Sequence, residues 1–264
     1  MRYAADLLFY DFKAFLHDAL AQPGTGRVEL ASSIAESLVV RNKSGESTKL
    51  KEVVFSKEIK YLLHFTPLPN LKNILRFGFL PRKFLEMNGV KEAIRPELPD
   101  LHRYDGRKEC FCLSISWPNY KMFYSKRRSM ANEWVVIKVN VESIIQHKCL
   151  FFRTNAASRQ ARNEGPNSIE DMFYDGNIRS KLEIDKSFTT DPQAEVMSFS
   201  RIPPDWIEEI YIDSSKNLTR SADREIKSLI KDKLLQRKND SRNIKIIRDN
   251  TFFGPRKDFW FWKK

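Results

Sequence analysis

The chain has 264 residues, with 46 Lys and Arg against 34 Asp and Glu, giving a formal net charge of +12. At 41% hydrophobic and 12% aromatic residues it can bury a core, and with nine glycines it is neither collagen-like nor generically disordered. No run approaches the roughly 20 apolar residues of a membrane span, Asp6 and Asp11 interrupt any leader-like apolar stretch, and three cysteines point to a reducing compartment, so a basic cytoplasmic protein with no membrane partner is expected.

Tyr3, Leu7, Leu8, Phe12, Phe15, Leu16 and Leu20 recur at helical spacing, which predicts an amphipathic helix over residues 3–20, stopped by Pro23 and Gly24. A second short helix is predicted over 28–40, and the polar stretch 41–47 reads as a loop. Residues 1–55 are therefore expected to form an N-terminal helical extension to a main domain over 56–264. The main domain opens on an apolar strand at 61–66. Pro67 and Pro69 break it, Asn70 stands where a helix cap belongs, and a helix over 71–77 ends at Gly78.

A polar connection follows to Lys108, then a strand over 110–116, a helix near 119–129 and a β-branched strand at 134–139. Residues 153–192 are polar and turn-rich, the composition of a functional loop. Strands return at 194–199 and 207–212. A helix covers 221–236 with Ile226, Leu229, Ile230 and Leu234 inward, and a last strand spans 243–248. The fold class is α+β.

The positive charge implies a phosphate-bearing partner without naming it. Lys121, Lys126, Arg127 and Arg128 lie among Tyr120, Phe123 and Tyr124, and the aromatic, basic mixture recurs over residues 252–264. Rings among cations suit single-stranded nucleic acid, because bases stack on rings while phosphates pair with cations. The plainer reading is a core of rings with a solvated rim of cations.

Three ionisable features stand out: His64 on an apolar strand, Arg103 with Asp105 before the second strand, and Glu195 directly after the long polar segment. Each has an ordinary structural reading: a satisfied core histidine, a surface ion pair, an edge carboxylate. Cys110, Cys112, His147 and Cys149 lack the paired spacing of a zinc site, and no metal is expected. There is no phosphate-cradling glycine loop and no serine-hydrolase or zinc-protease motif.

The order of these pieces resembles the DarT family of NAD-dependent nucleic-acid ADP-ribosyltransferase toxins. The resemblance rests on His64-Phe65-Thr66 with Asn70, Leu71, Ile74, Leu75 and Gly78, on Arg103-Tyr104-Asp105, on the run from Ser114 to Tyr124, and on Gln193-Ala194-Glu195-Val196. It covers roughly residues 58–215; Phe65 departs from the aliphatic residue usual there. It implies an ADP-ribosyltransferase-like split β core with flanking helices, holding NAD as co-substrate.

By the same resemblance, His64, Thr66 and Asn70 hold the adenosine and ribose side of NAD. Arg103 serves its phosphates and helps orient the acceptor, and Tyr120, Lys121 and Met122 close over the nicotinamide half. Glu195 is the catalytic carboxylate, with Arg103 beside it in the catalytic set. Lys126, Arg127, Arg128, Phe173 and Tyr174 are expected to hold the single-stranded substrate. DNA is favoured over RNA as acceptor, and an antitoxin protein or a chaperone is the expected partner. A non-catalytic single-stranded RNA- or DNA-binding module and a protein-modifying ADP-ribosyltransferase are the alternatives. Retention of His64, Arg103 and Glu195 together favours the enzyme.

Overall fold

The computed structural model describes residues 39–87, 90–98, 103–130, 133–174, 177–232, 234–236 and 243–263. The helix predicted over 3–20, and all but the end of that over 28–40, lie outside the described residues. Helix α1 (Ser44–Ser56) precedes strand β1 (Tyr61–Pro67), which a single 3-10 turn joins to α2 (Leu71–Phe77). Two short helices, α3 (Arg82–Leu85) and α4 (Val90–Ile94), then lead to β2 (Phe111–Ile115), α5 (Tyr120–Ser129) and β3 (Trp134–Asn140). After α6 (Glu142–Gln146) come β4 (Cys149–Phe152), α7 (Arg159–Glu164), α8 (Ile178–Leu182) and β5 (Glu195–Ser198). Strand β6 (Ile207–Ile212), α9 (Arg220–Lys231) and β7 (Lys245–Arg248) complete the order.

The strands form one seven-stranded sheet in the order β4-β5-β2-β1-β3-β6-β7. Every pair is antiparallel except β6 with β7, and α9 lies on the connection that a parallel pair requires. Because side chains alternate across a strand, β3 sends Val135, Ile137 and Val139 into the main core and Trp134 and Val136 into a second cluster. Helices α1, α2, α6 and α9 cover the first face, and Phe123 of α5 with Phe252 covers the second. A sheet buried on both faces explains why β3 reads as an almost unbroken apolar run.

The seam at the centre matters most for function. Strand β1 pairs with β3 along its whole length, from Tyr61–Asn140 to Pro67–Trp134. It pairs with β2 only through Leu62–Ile115 and Leu63–Ser114. Beyond that point His64–Pro67 have no ladder partner on β2, and β2 continues against β5 through Phe111, Cys112 and Leu113. This is the split core that the resemblance implied, within one mixed α/β architecture.

Several local expectations are corrected. The 41–47 stretch is helical from Ser44, with Leu50, Val53 and Val54 buried one and more turns later. The 153–192 segment is not a bare loop: it carries α7, α8 and a 3-10 turn, and Ile169, Met172 and Phe173 enter the main core. Ile230 of α9 faces outward, 57% exposed. Around the polar connection before Lys108, a small separate core of Phe77, Leu80, Phe84, Val90 and Ile94 supports α3 and α4.

Candidate functional site

A cavity of about 370 Å³ opens where β1 and β2 part. Its walls take His64, Thr66 and Asn70 from one side of the seam and Arg103, Asp105, Cys112 and Glu195 from the other. His64 substitutes for a strand donor at the split. Its Nδ1 lies 2.8 Å from the Cys112 carbonyl, which can only accept, so Nδ1 carries the proton and Nε2 is left as an acceptor. Burial holds the ring below its ordinary pKa and therefore neutral, and Phe79 and Phe111 flank it edge-on.

Asn70 does not cap α2, for its side chain makes no cap bond. Its amide instead pairs with a backbone segment: Nδ2 donates to the Glu97 carbonyl (2.7 Å) while Oδ1 accepts from the Glu97 N–H (2.8 Å). The same Nδ2 donates to Thr66 Oγ1 at 2.9 Å. One carboxamide thus ties strand β1 to the 95–98 wall. Gly78, at the end of α2, has φ +79° and lies so close to the 202–203 backbone that a Cβ would overlap the Ile202 carbonyl oxygen. That approach supports the bridge between Phe79 and Ile202 at the cavity floor.

Glu195, at the first position of β5, is 3% exposed. Its Oε2 accepts the Ala156 N–H at 3.0 Å. Burial pushes its pKa up to about 7, aided by Asp105 and opposed by the Ala156 bond and by Arg103. A carboxyl balanced between its two forms near neutrality is suited to exchange a proton.

The guanidinium of Arg103 is only 9% exposed as a side chain and is heavily engaged. It makes a two-pronged pair with Asp105 (2.9–3.1 Å) and donates to the carbonyls of Arg107 (3.0 Å) and Cys110 (3.3 Å). It fixes the approach to β2 while lining the cavity, so its positive charge reaches the site although its donors are largely used.

The remaining predicted residues divide. Met122 and Lys126 of α5 line the cavity. Tyr120 and Lys121 do not; the Tyr120 hydroxyl is buried without a hydrogen-bond partner near Asp258, Arg256 and Asp191, and burial raises its pKa to about 12. Arg127 is tied to Asp213 (2.7 Å) and the Phe253 carbonyl (2.9 Å) and sandwiched by Phe123 and Phe253, a structural arrangement. Phe173 is 4% exposed in the core, so it cannot stack a base. Tyr174 is partly buried and offers its carbonyl to Thr190. Arg128 lies over the exposed ring of Tyr124 on the outer face of α5.

Sequence reasoning passed over Asn119. It caps α5, its Oδ1 accepting the Met122 N–H at 3.2 Å, and it is 2% exposed. Its amide reaches toward Glu195, yet Nδ2 finds no partner at hydrogen-bonding geometry, an orphan donor on the cavity wall. The cap position was the available signal. Just before it, Ser116 adopts φ +58°, a strained conformation for a non-glycine residue at the exit from β2. Among the described residues no three His, Cys, Asp or Glu converge as metal ligands would. His147 bonds the Ser143 carbonyl, and Cys110 is fully buried.

No curated protein matches the sequence. Among solved structures, a Thermosipho africanus DarTG in complex with ADP-ribose is similar at 18% identity and a TM-score of 0.47, covering 74% of this chain and 51% of that one. The chain thus spans about half the length of that relative. Thermus sp. 2.9 DarT in complex with NAD+ is similar at 15% identity and TM-score 0.42, covering 72% of this chain and 96% of that one. The same Thermus protein in complex with ADP-ribosylated ssDNA gives 14% and 0.43, covering 72% and 95%. The family model described as ssDNA thymidine ADP-ribosyltransferase, DarT, matches residues 63–239, a span that begins just before His64 and carries through Arg103, Asn119 and Glu195. With well over half of the sequence and the whole seam-lined cavity inside that match, the chain belongs to the DarT family of ADP-ribosyltransferases.

Proposed function

We propose that the protein transfers ADP-ribose from NAD+ to a thymidine base of single-stranded DNA, with Glu195 as catalytic carboxylate. The observation that carries this reading is Glu195 itself: a buried carboxyl with its pKa raised to about 7, on the wall of the seam-lined cavity inside the family match. The residues present suit NAD. His64 Nε2 offers an acceptor to a ribose hydroxyl, the orphan Asn119 Nδ2 offers a donor, and the positive field of Arg103 favours the diphosphate. NAD supplies an activated ribose whose bond to nicotinamide is the one broken.

As that bond breaks, ionised Glu195 stabilises the positive charge growing on the sugar, and a charge preorganised in a dry site is commonly the largest catalytic contribution. Glu195 then accepts the proton from the attacking base nitrogen as the new glycosidic bond forms, while nicotinamide departs with the bonding electron pair. A base reached this way must lie outside a stacked duplex, which favours a single strand over a duplex. Lys126 at the mouth and Arg128 with Tyr124 outside it are the groups we assign to the strand. Residues 1–55 are assigned as an extension to the catalytic domain, and an antitoxin protein as the natural counterpart of such an activity.

The test is an incubation with labelled NAD+ and, separately, thymidine-containing single-stranded DNA, thymidine-free single-stranded DNA, single-stranded RNA and acidic protein. Label is expected in the first pool alone. Label in RNA or protein would replace the acceptor, and binding of DNA without label in any pool would leave a non-catalytic binding module.

A further inference from the structure

Residues beyond the family match, which ends at 239, hold the most deeply buried ion pair among the described residues. Arg256 and Asp258 are each 1% exposed. Arg256 Nε donates to Asp258 Oδ1 (2.9 Å) and Nη2 to Asp258 Oδ2 (2.5 Å). The outward nitrogens reach across the molecule, Nη1 to the Thr189 carbonyl (2.7 Å) and Nη2 to the Thr190 carbonyl (3.1 Å). The Trp262 indole N–H completes the carboxylate at 2.9 Å, and the guanidinium covers the Phe188 ring.

The two carbonyls belong to the segment that delivers Glu195. Thr189 Oγ1 donates to the Asp191 carbonyl (2.8 Å), Asp191 Oδ1 accepts the Gln193 N–H (2.7 Å), and the Ala194 N–H returns to the Asp191 carbonyl (3.1 Å). Each bond leaves the chain fewer ways to enter β5, and Glu195 is the next residue. The same tail reaches the other wall. Trp117 Nε1 donates to the Gly254 carbonyl (3.4 Å) and packs edge-on against Phe188 and Phe252, two residues before the Asn119 cap.

We propose that residues 252–262 are a positioning element of the active site, in which the Arg256–Asp258 pair sets the Glu195 turn against the Asn119 wall. The proposal rests on the transferase reading above. Burying an ion pair is weak evidence for stability, since desolvation consumes most of the attraction. A fork whose outward donors both meet consecutive carbonyls of one loop is suited to registering that loop. Arg256 acts through the turn and touches no reacting atom.

The full chain is tested as Arg256→Lys, which keeps the charge and loses the fork, and as Trp262→Phe, which keeps an aromatic ring and removes one of the two bonds to Asp258 Oδ2. With transfer measured and sites counted by NAD+ binding stoichiometry, we expect kcat to fall about 10- to 100-fold in Arg256→Lys while KM for NAD+ changes less than about threefold. Trp262→Phe follows with a smaller loss. Hydrogen exchange reads the same positioning without turnover: amides of Ala194 and Glu195 should exchange at least about tenfold faster in Arg256→Lys, with β3 amides unchanged. Unchanged kcat with unchanged exchange at 194–195 overturns the proposal. So does a loss of kcat that merely tracks the loss of NAD+-binding sites, which marks a structural role. Absence of transfer by the wild type, together with the local exchange change in Arg256→Lys, refutes the transferase reading and leaves the positioning of Glu195 standing.

Discussion

At the scale of single residues, Glu195 carries a consequence for stability as well as for rate. Burial raises its pKa from the ordinary 4.5 to about 7, so between those values the folded state binds more proton than the unfolded one. Folding stability therefore falls as pH rises through that window, and the full penalty is present above pH 7. Glu195→Gln removes the ionisable group while keeping its shape. Transfer should drop at least about 100-fold, yet melts at pH 8 should show the variant more stable than wild type by roughly 1–3 kcal/mol. The gain should vanish below about pH 4.5, where wild-type Glu195 is protonated in both states. A variant equally stable at pH 8 would mean that the carboxyl is solvated. In the wild type, kcat/KM should rise with pH about a midpoint near 7, because in the proposed mechanism the ionised form does the chemistry. His64, Arg103 and Glu195 were legible in the sequence as ionisable residues in apolar or ordered settings. Apart from the Arg103–Asp105 pair, what they bond to was not, because those partners are backbone groups brought from other segments: the Cys112 and Cys110 carbonyls and the Ala156 N–H. Backbone partners leave no side-chain signature.

At the scale of elements, period and punctuation served where tertiary contacts agree with them. Helix α2 ends at Gly78, and β1 and β3 match their β-branched and aromatic runs. Gly78 also shows why some glycines are fixed by packing as well as by φ. Gly78→Ala adds a strained φ, worth about 1–3 kcal/mol, to an overlap with the Ile202 carbonyl. We expect a loss of roughly 3 kcal/mol or more in denaturant unfolding, with the released 202–203 segment loosening the cavity floor. Near-wild-type stability would show that this segment can retreat cheaply. The 153–192 region was misread because its few apolar residues follow neither a period of 2 nor one of 3.6. They are buried singly, Ala156 and Ala161 beneath α7 and Met172 and Phe173 on the 3-10 turn. The four-residue β4 is too short to carry a period of its own and exists as the edge partner of β5.

At the scale of the whole molecule, the net charge of +12 is spent unevenly. Arg103, Arg127 and Arg256 are committed to carboxylates and carbonyls, so they hold the fold and shape the cavity, whereas Arg128 is exposed beside Tyr124. For single strands the slope of log affinity against log salt is about −0.7 per phosphate contacted. Arg128→Ala should therefore make the slope for a DNA oligomer shallower by about 0.7 while leaving the melting temperature unchanged. Arg127→Ala should instead lower the melting temperature, because Asp213 loses its ionic partner and the Phe253 carbonyl its donor. An identical slope in Arg128→Ala would place the strand elsewhere.

The seam through the sheet has a last consequence. Two residue pairs join β4-β5-β2 to β1-β3-β6-β7, and the proposed dinucleotide contacts fall on both sides of it. A ligand spanning that line is a structural member as well as a reactant, and at 100 times its Kd it would stabilise the fold by about 2.7 kcal/mol. On the proposed activity, the protein's resistance to proteolysis is coupled to the NAD+ pool: as that pool drains, the two halves should lose their brace and the chain should become easier to cut.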